Sequence, residues 1–534
     1  MNEWWRGAII YQIYPRSFLD TNGDGIGDLN GITQKLDYVA SLGVDGVWIS
    51  PFFKSPMDDF GYDVSDYRCV DPIFGDLEDF DELLERAHDL GLKLIIDQVY
   101  SHTSSQHAWF EESRQSRDNP KADWYVWADA KVDGTPPNNW QSAFGSAAWT
   151  WDSRRQQYYL HNFVSSQPDL NLHNTEVQDE LLDVARFWLD RGVDGFRLDA
   201  INFAMHDLRL RDNPPAPPDV RSEARPYFMQ LLKYNMDHGD VPKLLGRLRE
   251  VTDAYADVLT VAEVGGHSPL QTMQSYTHGE SRLNTAYSFD FLSTTDLVAG
   301  RVRDILGGWS GKDEEGWPSW AFSNHDAPRV ASRWGAEVEH SQRVRLIALL
   351  QICLRGNMFL YQGEELGLTQ ANVPFEKLQD PDALANWPNT LGRDGARTPM
   401  PWVCDGEQAG FSSVDPWLPI DSAHNFLAAD LQQDDPESTL NFFRHVISIR
   451  KASPALTCGD LEIVDAPQDL LVFTRRGQDE LVYCVFNLGS ETVNWTPGEG
   501  EPMKLRVGVG QCCQEGEPPM SVGSFCAYVA FAKV

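Results

Sequence analysis

Along the first three quarters of the chain, short apolar runs alternate with stretches of helical periodicity, which restricts the fold to an α/β architecture around a parallel sheet. Ala8–Tyr14, Val44–Ser50 and Leu92–Asp97 are β-branched-rich runs bounded by turn residues. Between the last two, Leu77, Phe80, Leu83, Leu84 and Ala87 recur at helical spacing, and Gly91 stands where a helix would end in the left-handed conformation. The unit returns at 175–199. There Thr175 with Gln178 predicts a capping box, Val177, Leu181, Val184, Ala185 and Trp188 form one face, and Gly192 ends the helix as GVDGFRLD (192–199) leads into a strand. Val258–Glu263, Thr285–Asp290, Ser319–Ser323 and Met358–Tyr361 complete about eight βα repeats, the number of a (β/α)8 barrel. A doubly wound sheet is the competing topology. It would usually carry a phosphate loop, and GDGIGDLNG at Gly23–Gly31 matches G-x-G-x-x-G poorly.

Two segments break the alternation. Residues 102–171 are rich in Trp, Asn, Pro and Gly without helical period, too long for a bare loop, and predict a small inserted domain over the barrel mouth. From 456 to 534 the chain becomes alternating short runs (LEIVDA, LLVFTRR, ELVYCVFN, TVNW), predicting a C-terminal all-β domain, a β-sandwich. The barrel is thus expected from 1–101 and 172–455.

Charge limits the partners. With 44 Lys+Arg against 79 Asp+Glu the net charge is −35, which argues against nucleic acid and anionic membranes and fits a small neutral substrate. The eight cysteines are sparse, none lies in a CxxC pair, and adjacent Cys512 and Cys513 read as plain thiols. His102 and His107 lack an H-E-x-x-H pattern, so zinc is not expected. The N-terminus lacks a basic n-region and no apolar run approaches a membrane span of about 20 residues, so a cytoplasmic monomer or homodimer is expected.

Barrel enzymes carry their chemistry at the C-terminal ends of strands. Here Asp97, Asp199, Glu263 and Asp326 fall at or just beyond such ends, with His102 and His325 beside them. One such carboxylate would usually be a cap or an ion-pair partner; four at equivalent positions indicate a site. Arg197 and Asp199, two apart on one strand, face the axis together, so the guanidinium is expected to keep Asp199 ionised. Glu263, among other carboxylates, is expected to be pushed up. One charged and one protonated carboxylate suits glycosidic-bond cleavage.

These motifs resemble the α-amylase family of glycoside hydrolases, within it the α-glucosidase and oligo-1,6-glucosidase group. The resemblance covers nearly the whole chain and rests on DQVYSH at Asp97–His102, GFRLDA at Gly195–Ala200, AEV around Glu263, SNHD at Ser323–Asp326 and QPDLN at Gln167–Asn171. It implies Asp199 as nucleophile, Glu263 as acid/base and Asp326 as the third carboxylate, which binds sugar hydroxyls. It further implies Arg197, His102 and His325 as the shell around the cleaved sugar, Tyr62 as an aromatic platform, and Asp59 with Arg397 as a pair closing the pocket. Phe144 and Phe163 are aromatics expected to line it. Ala200, after the nucleophile, stands where similar enzymes with Val prefer α-1,6 bonds and those with Ala, Gly or Thr prefer α-1,4. Ser101 departs from the family: many relatives carry Asn there, often supporting a calcium site.

The loop Asp20, Asn22, Asp24, Ile26 (backbone) and Asp28 spaces oxygens as a calcium loop does, although position 12 is Gly31 and no Glu closes it. An Asx-rich turn is the plain alternative; the resemblance favours a structural Ca2+ or Mg2+, with no organic cofactor. Glu364 and Glu365 are expected to support the last strand, and only tryptophans of the insertion are candidates for sugar platforms. The function implied is a retaining, exo-acting α-glucosidase, α-1,4 preferring, with transglucosylation possible. The rivals are an oligo-1,6-glucosidase, an isomerase or transglucosidase of the same family, and a non-catalytic barrel of the kind found in transporter heavy chains.

Overall fold

The computed structural model describes residues 3–533 apart from 219–220, 222–224, 310–315, 336–339, 391, 497–502 and 511–520. Eight parallel strands form one sheet: β1 (Ile9–Ile13), β2 (Gly46–Ile49), β3 (Lys93–Val99), β4 (Gly195–Asp199), β5 (Leu259–Val264), β6 (Thr285–Ser288), β7 (Ser319–Ala321) and β8 (Asn357–Tyr361). Their order is β6-β5-β4-β3-β2-β1-β8-β7, and a single parallel bridge between Ala286 and Pro318 joins β6 to the segment entering β7, closing the barrel. Each strand lies within three residues of its apolar run at either end. The strands are buried on both faces, which is why they read as continuous hydrophobic runs.

The helices follow from their patterning and caps. Helix α1 (Leu29–Ser41) starts at Asp28, whose carboxylate accepts the Gly31 N–H. Helix α2 (Leu77–Asp89) starts with a capping box of Asp76 and Asp79, buries Phe80, Leu83, Leu84 and Ala87, and is followed by Gly91 at φ +74°. Helix α3 (Thr175–Arg191) corrects the expected cap. Its N-cap is Asn174, which accepts the Glu176 N–H, and Thr175 is already helical. Gln178 turns inward, donating to the Leu172 carbonyl and accepting from Arg247, so it cannot complete a box. Gly192 ends the helix at φ +105°, as expected.

Between β3 and α3 the chain forms a short helix, Ala108–Ser113, and a three-stranded antiparallel sheet of Trp127–Ala128, Gln157–Leu160 and Trp149–Asp152. Its core holds Val126, Trp140, Ala148, Trp149 and Leu160, so its tryptophans serve mainly as packing. Trp124, Trp140 and Trp149 are buried; Trp151 lies on the outer face against Tyr158. Trp124, Trp140 and Trp149 are engaged in packing, because a small sheet needs such large rings to build any core. At the C-terminal end, Asp460–Ile463, Leu470–Arg476, Glu480–Asn487, Ala527–Lys533 and Lys504–Val509 make a five-stranded antiparallel sheet. One face packs Leu470, Val472, Val485 and Tyr528 with Val522 of a two-stranded ribbon, while Phe473, Cys484 and Phe486 join the core shared with the barrel. The alternation along each strand divides the two faces. Cys69, Cys353, Cys404, Cys458, Cys484 and Cys526 are free, and Cys512 and Cys513 lie outside the described residues.

Candidate active site

Arg197 is the hub of the barrel mouth. It lies on β4 between Asp97 on β3 and Val261 on β5, fully buried, so its charge needs partners inside the protein. Its Nη1 donates to Asp97 Oδ1 and Asp199 Oδ1, both at 2.7 Å, and its Nη2 pairs with Glu263 Oε1. Asp199 and Glu263 thus hang from one guanidinium, as the two-residue spacing of Arg197 and Asp199 requires. Asp97 differs from the expected set. It stops two residues short of the end of β3, fully buried, where it accepts from Trp48 Nε1 (3.0 Å) and Tyr62 OH (3.2 Å). It anchors Arg197 from below.

His325 lies in the same layer. Gln12 donates to its Nδ1 (2.8 Å), which leaves Nε2–H facing the Tyr62 hydroxyl (2.5 Å) and Asp326 Oδ2 (3.3 Å). Tyr62 stacks on this ring with centroids 5.2 Å apart and planes at 5°. His102 Nε2–H donates to the Tyr62 carbonyl (3.0 Å), so its Nδ1 accepts from the Ser101 hydroxyl (2.9 Å). Burial keeps both histidines neutral: His102 is pulled down to about 4 and His325 well below its ordinary value. Ser101, the residue departing from the family pattern, is thus engaged in holding His102.

One expected pair is corrected. Asp59 is paired with Arg393, not Arg397: Arg393 Nη2 donates to Asp59 Oδ1 and to Asp380 Oδ1, each at 2.7 Å, and its Nη1 lies 3.3 Å from Asp326 Oδ1. Arg397 sits one short helical turn later and points beneath the site, donating to the His325 carbonyl and Asp326 Oδ1, each at 2.7 Å. Both arginines lie in an irregular loop, where no period tells which one faces the pocket. The wall continues with Phe144, whose ring lies 5.0 Å below the Arg393 guanidinium, then Phe163 (6.2 Å from Phe144) and Phe203 (5.3 Å from Phe163). Phe163 also lies 5.2 Å from His102, so both expected aromatics belong to the site.

The carboxylates are electrostatically distinct. Burial raises Asp326, but the Nε2–H of neutral His325 and the guanidiniums of Arg393 and Arg397 outweigh it and hold the group below its ordinary value. Asp199 is pushed up to about 7, because burial exceeds the pull of Arg197. The expectation that Arg197 alone would keep it low is corrected, since desolvation of a fully enclosed carboxylate is not visible in a sequence. Glu263 also rises to about 7, through burial first and then through Asp199 and Asp326. Two neighbouring carboxylates raised alike can hold one proton between them, with one ionised and one protonated.

The chain from residue 12 to 459 matches the family model of the alpha-amylase catalytic domain. The chain belongs to the alpha-amylase family. Membership places it in a family of glycoside hydrolases. A probable alpha-glucosidase of Rhizobium meliloti is 53% identical over 498 residues, covering 92% of this chain and 90% of its own. An oligo-1,6-glucosidase of Heyndrickxia coagulans is 39% identical, covering 93% and 94%. Among solved structures, the alpha-glucosyl transfer enzyme XgtA superposes with a TM-score of 0.95 at 50% identity over 100% of both chains. A trehalulose synthase, MutB, does so with a TM-score of 0.90 at 33% identity over 99% and 100%.

Besides Phe203 and Asp380 in the wall, sequence reasoning missed three residues of this alpha-amylase family site. Arg393 lies four residues before the arginine chosen, in the same LGRDGARTPMPW run. Gln167, the first residue of QPDLN, donates to Asp59 Oδ2 (3.1 Å) and lies 3.1 Å from His102 Nε2. Tyr287 stands beside Glu263 in the β5–β6 ladder and hydrogen-bonds to it; a strand register would have found it. Ala200 caps β4 in the left-handed region (φ +39°, ψ +38°) and its N–H donates to Glu263 Oε2 (3.1 Å). Glu365 accepts from Tyr11 and Tyr38 hydroxyls at 2.8 and 2.7 Å, tying β8 to β1 and α1. Glu364, fully enclosed, rises to about 8 through burial and has no place among the mouth carboxylates.

The Asp20–Asp28 loop folds on its own oxygens. Asp20 accepts from the Asn22, Gly23 and Gly25 N–H groups and from Ser412, Asn22 from Asp24 N–H, and Asp24 from Ile26 N–H. Asp28 caps α1 and holds Thr21. No three His, Cys, Asp or Glu side chains converge as a metal site among the described residues. An ion here would therefore lean on the Asn22 amide and the Ile26 carbonyl beside the carboxylates. Such oxygens keep a second lone pair and suit a hard cation. Among the described residues no helix is long and apolar enough to cross a membrane.

Proposed function

We propose that the protein is a retaining, exo-acting α-glucosidase. The observation that carries the reading is the suspension of Asp199 and Glu263 from one guanidinium, in a pocket whose far wall is sealed by the Asp59–Arg393–Asp380 cluster. The shared guanidinium favours the short carboxylate spacing of double displacement. A wall closed by buried charges supports an exo-acting mode, in which the terminal sugar abuts that wall. In this reading Glu263 gives its proton to the glycosidic oxygen while Asp199 attacks the anomeric carbon, forming a glucosyl ester as the C–O bond to the leaving sugar breaks. Glu263 then removes a proton from water, which opens the ester. Asp326, held ionised by two arginines, accepts from sugar hydroxyls.

The probable alpha-glucosidase of Rhizobium meliloti, similar over most of both chains, supports this reading. The small Ala200 beside the cleaved bond supports α-1,4 over α-1,6 substrates. Likeness to XgtA, named for α-glucosyl transfer, supports transfer to a second alcohol as a side activity. Hydrolysis of maltose, isomaltose, trehalose and sucrose, with the anomer of the first-released glucose read by NMR, tests the proposal. Because the leaving glucose carries the anomers of the maltose supplied, the initial anomer ratio is read against that of the substrate. An excess of α-glucose supports the reading; an excess of β-glucose, or isomerised sucrose as the main product, overturns it. The Asp20, Asn22, Asp24, Ile26 and Asp28 oxygens are proposed to hold a structural Ca2+ or Mg2+, remote from the chemistry.

A further inference from the structure

Tyr287 is fully buried on β6, level with Glu263 in the parallel ladder, and its hydroxyl has a complete set of partners. Arg197 donates to the phenol oxygen from Nε (3.1 Å) and Nη2 (2.9 Å), and the hydroxyl lies 2.9 Å from Glu263 Oε1. A phenol oxygen offers two lone pairs and one proton. Both lone pairs face arginine N–H groups, so the proton has one acceptor, Glu263 Oε1. The ring cannot swing away, because it packs against Trp48 (centroids 6.3 Å) and Phe359 (5.7 Å).

We infer that Tyr287 is a positioning residue for the acid/base: its hydroxyl, oriented by Arg197, occupies Glu263 Oε1 and so confines the transferable proton to Oε2. The two carboxyl oxygens are then unequal. Oε1 receives the Tyr287 O–H and the Arg197 N–H, whereas Oε2 meets only the Ala200 N–H (3.1 Å), beside the residue that follows the nucleophile. When Oε2–H passes its proton to the leaving oxygen, the charge left on the carboxylate is met by a donor already in place. That bond strengthens as charge develops, so it favours the transition state over the ground state.

This inference rests on the glucosidase reading, and its test separates the two. Tyr287→Phe keeps the ring and removes the donor. kcat/KM reports glucosylation alone, so the variant should lose about tenfold on maltose, which needs a proton, and far less on 2,4-dinitrophenyl α-glucoside, which does not. Losing a donor to the ionised form raises the pKa of Glu263, so the alkaline limb should move up by as much as about one unit. Placing 3-fluorotyrosine at position 287, a stronger donor of nearly the same size, should move it down. Equal losses on both substrates with unmoved limbs would leave Tyr287 a packing residue and overturn the inference. The protonated carboxyl stretch in the infrared, assigned by its loss in Glu263→Gln, follows the same titration without turnover. Should wild type cleave no α-glucoside, the functional reading falls while this titration still decides the role of Tyr287.

Discussion

Arg393 gives the most demanding test of the pocket's construction. Its guanidinium is partnered by Asp59 and Asp380, whose side chains are 5% and 0% exposed, and it approaches Asp326 as well. Arg393→Met keeps most of the volume and removes the charge, stranding two buried carboxylates. Breaking buried pairs of this kind costs about 3–5 kcal/mol. The carboxylates escape part of that cost by taking up protons, so the loss must depend on pH. Asp380 is now held down to about 2, because Arg393 outweighs the rise that burial would cause. A lowered carboxylate contributes stability that is present above its unfolded value near 4 and fades as pH falls through its folded value. Removing Arg393 raises the folded value, so the deficit of the variant should grow as pH rises from about 4.5 to 7. Urea midpoints at several pH values measure this. A deficit that is flat with pH, or below about 1 kcal/mol at pH 7, would refute the pairing. The partner is checked by a double-mutant cycle on kcat/KM: Asp59→Asn should couple to Arg393→Met by more than about 1 kcal/mol and to Arg397→Met by much less.

Four further outcomes follow from the same geometry. Glu263→Gln should slow maltose hydrolysis severely but keep substantial glucosylation of aryl glucosides with good leaving groups; equal losses would remove its acid role. Since Asp199 must be ionised and Glu263 protonated, and both are raised to about 7, kcat/KM should follow a narrow bell centred near neutrality, and a plateau several units wide would contradict this. Excess chelator should lower the Tm of the holoprotein, and added Ca2+ or Mg2+ should restore it, because an ion bound only by the folded loop adds to stability; unchanged melting of protein shown free of metal would sink the assignment. Ala200→Val should raise the isomaltose/maltose ratio of kcat/KM, steric discrimination being worth about 1–3 kcal/mol. At φ +39° a β-branched residue adds strain of about 1–2 kcal/mol, so the ratio rather than either absolute rate is the readout, and an unmoved ratio refutes the role.

The barrel was legible because buried parallel strands are short apolar runs between turn residues, and each run names its strand within three residues at either end. Periodicity likewise marked the buried faces of α2 and α3. Caps were less legible: Thr175 and Asn174 are both good N-cap residues, and only the path of the chain decides which side chain reaches an orphan N–H. Of the strand-borne members of the site, Arg197 and Asp199 followed from the two-residue alternation and Glu263 from its place at a strand end. Loop-borne members such as Tyr62, His102, His325 and Asp326 were named through the family motifs, but no period orders an irregular loop, which is why Arg397 stood in for Arg393 and Gln167 went unassigned. Tyr287 needed the register between β5 and β6, a long-range fact. The raised Asp199 needed the depth of its enclosure, a property of the folded chain and not of any local pattern.

The central claim is that Asp199 forms a covalent glucosyl ester. Brief incubation with 5-fluoro-α-glucosyl fluoride, which slows both steps, followed by intact-mass and peptide mass spectrometry, tests it most directly. One fluoroglucosyl group per chain, on the peptide carrying Asp199 and absent from Asp199→Asn, is the predicted result. A reagent that is turned over without labelling the chain, or a label on any other carboxylate, would contradict the account.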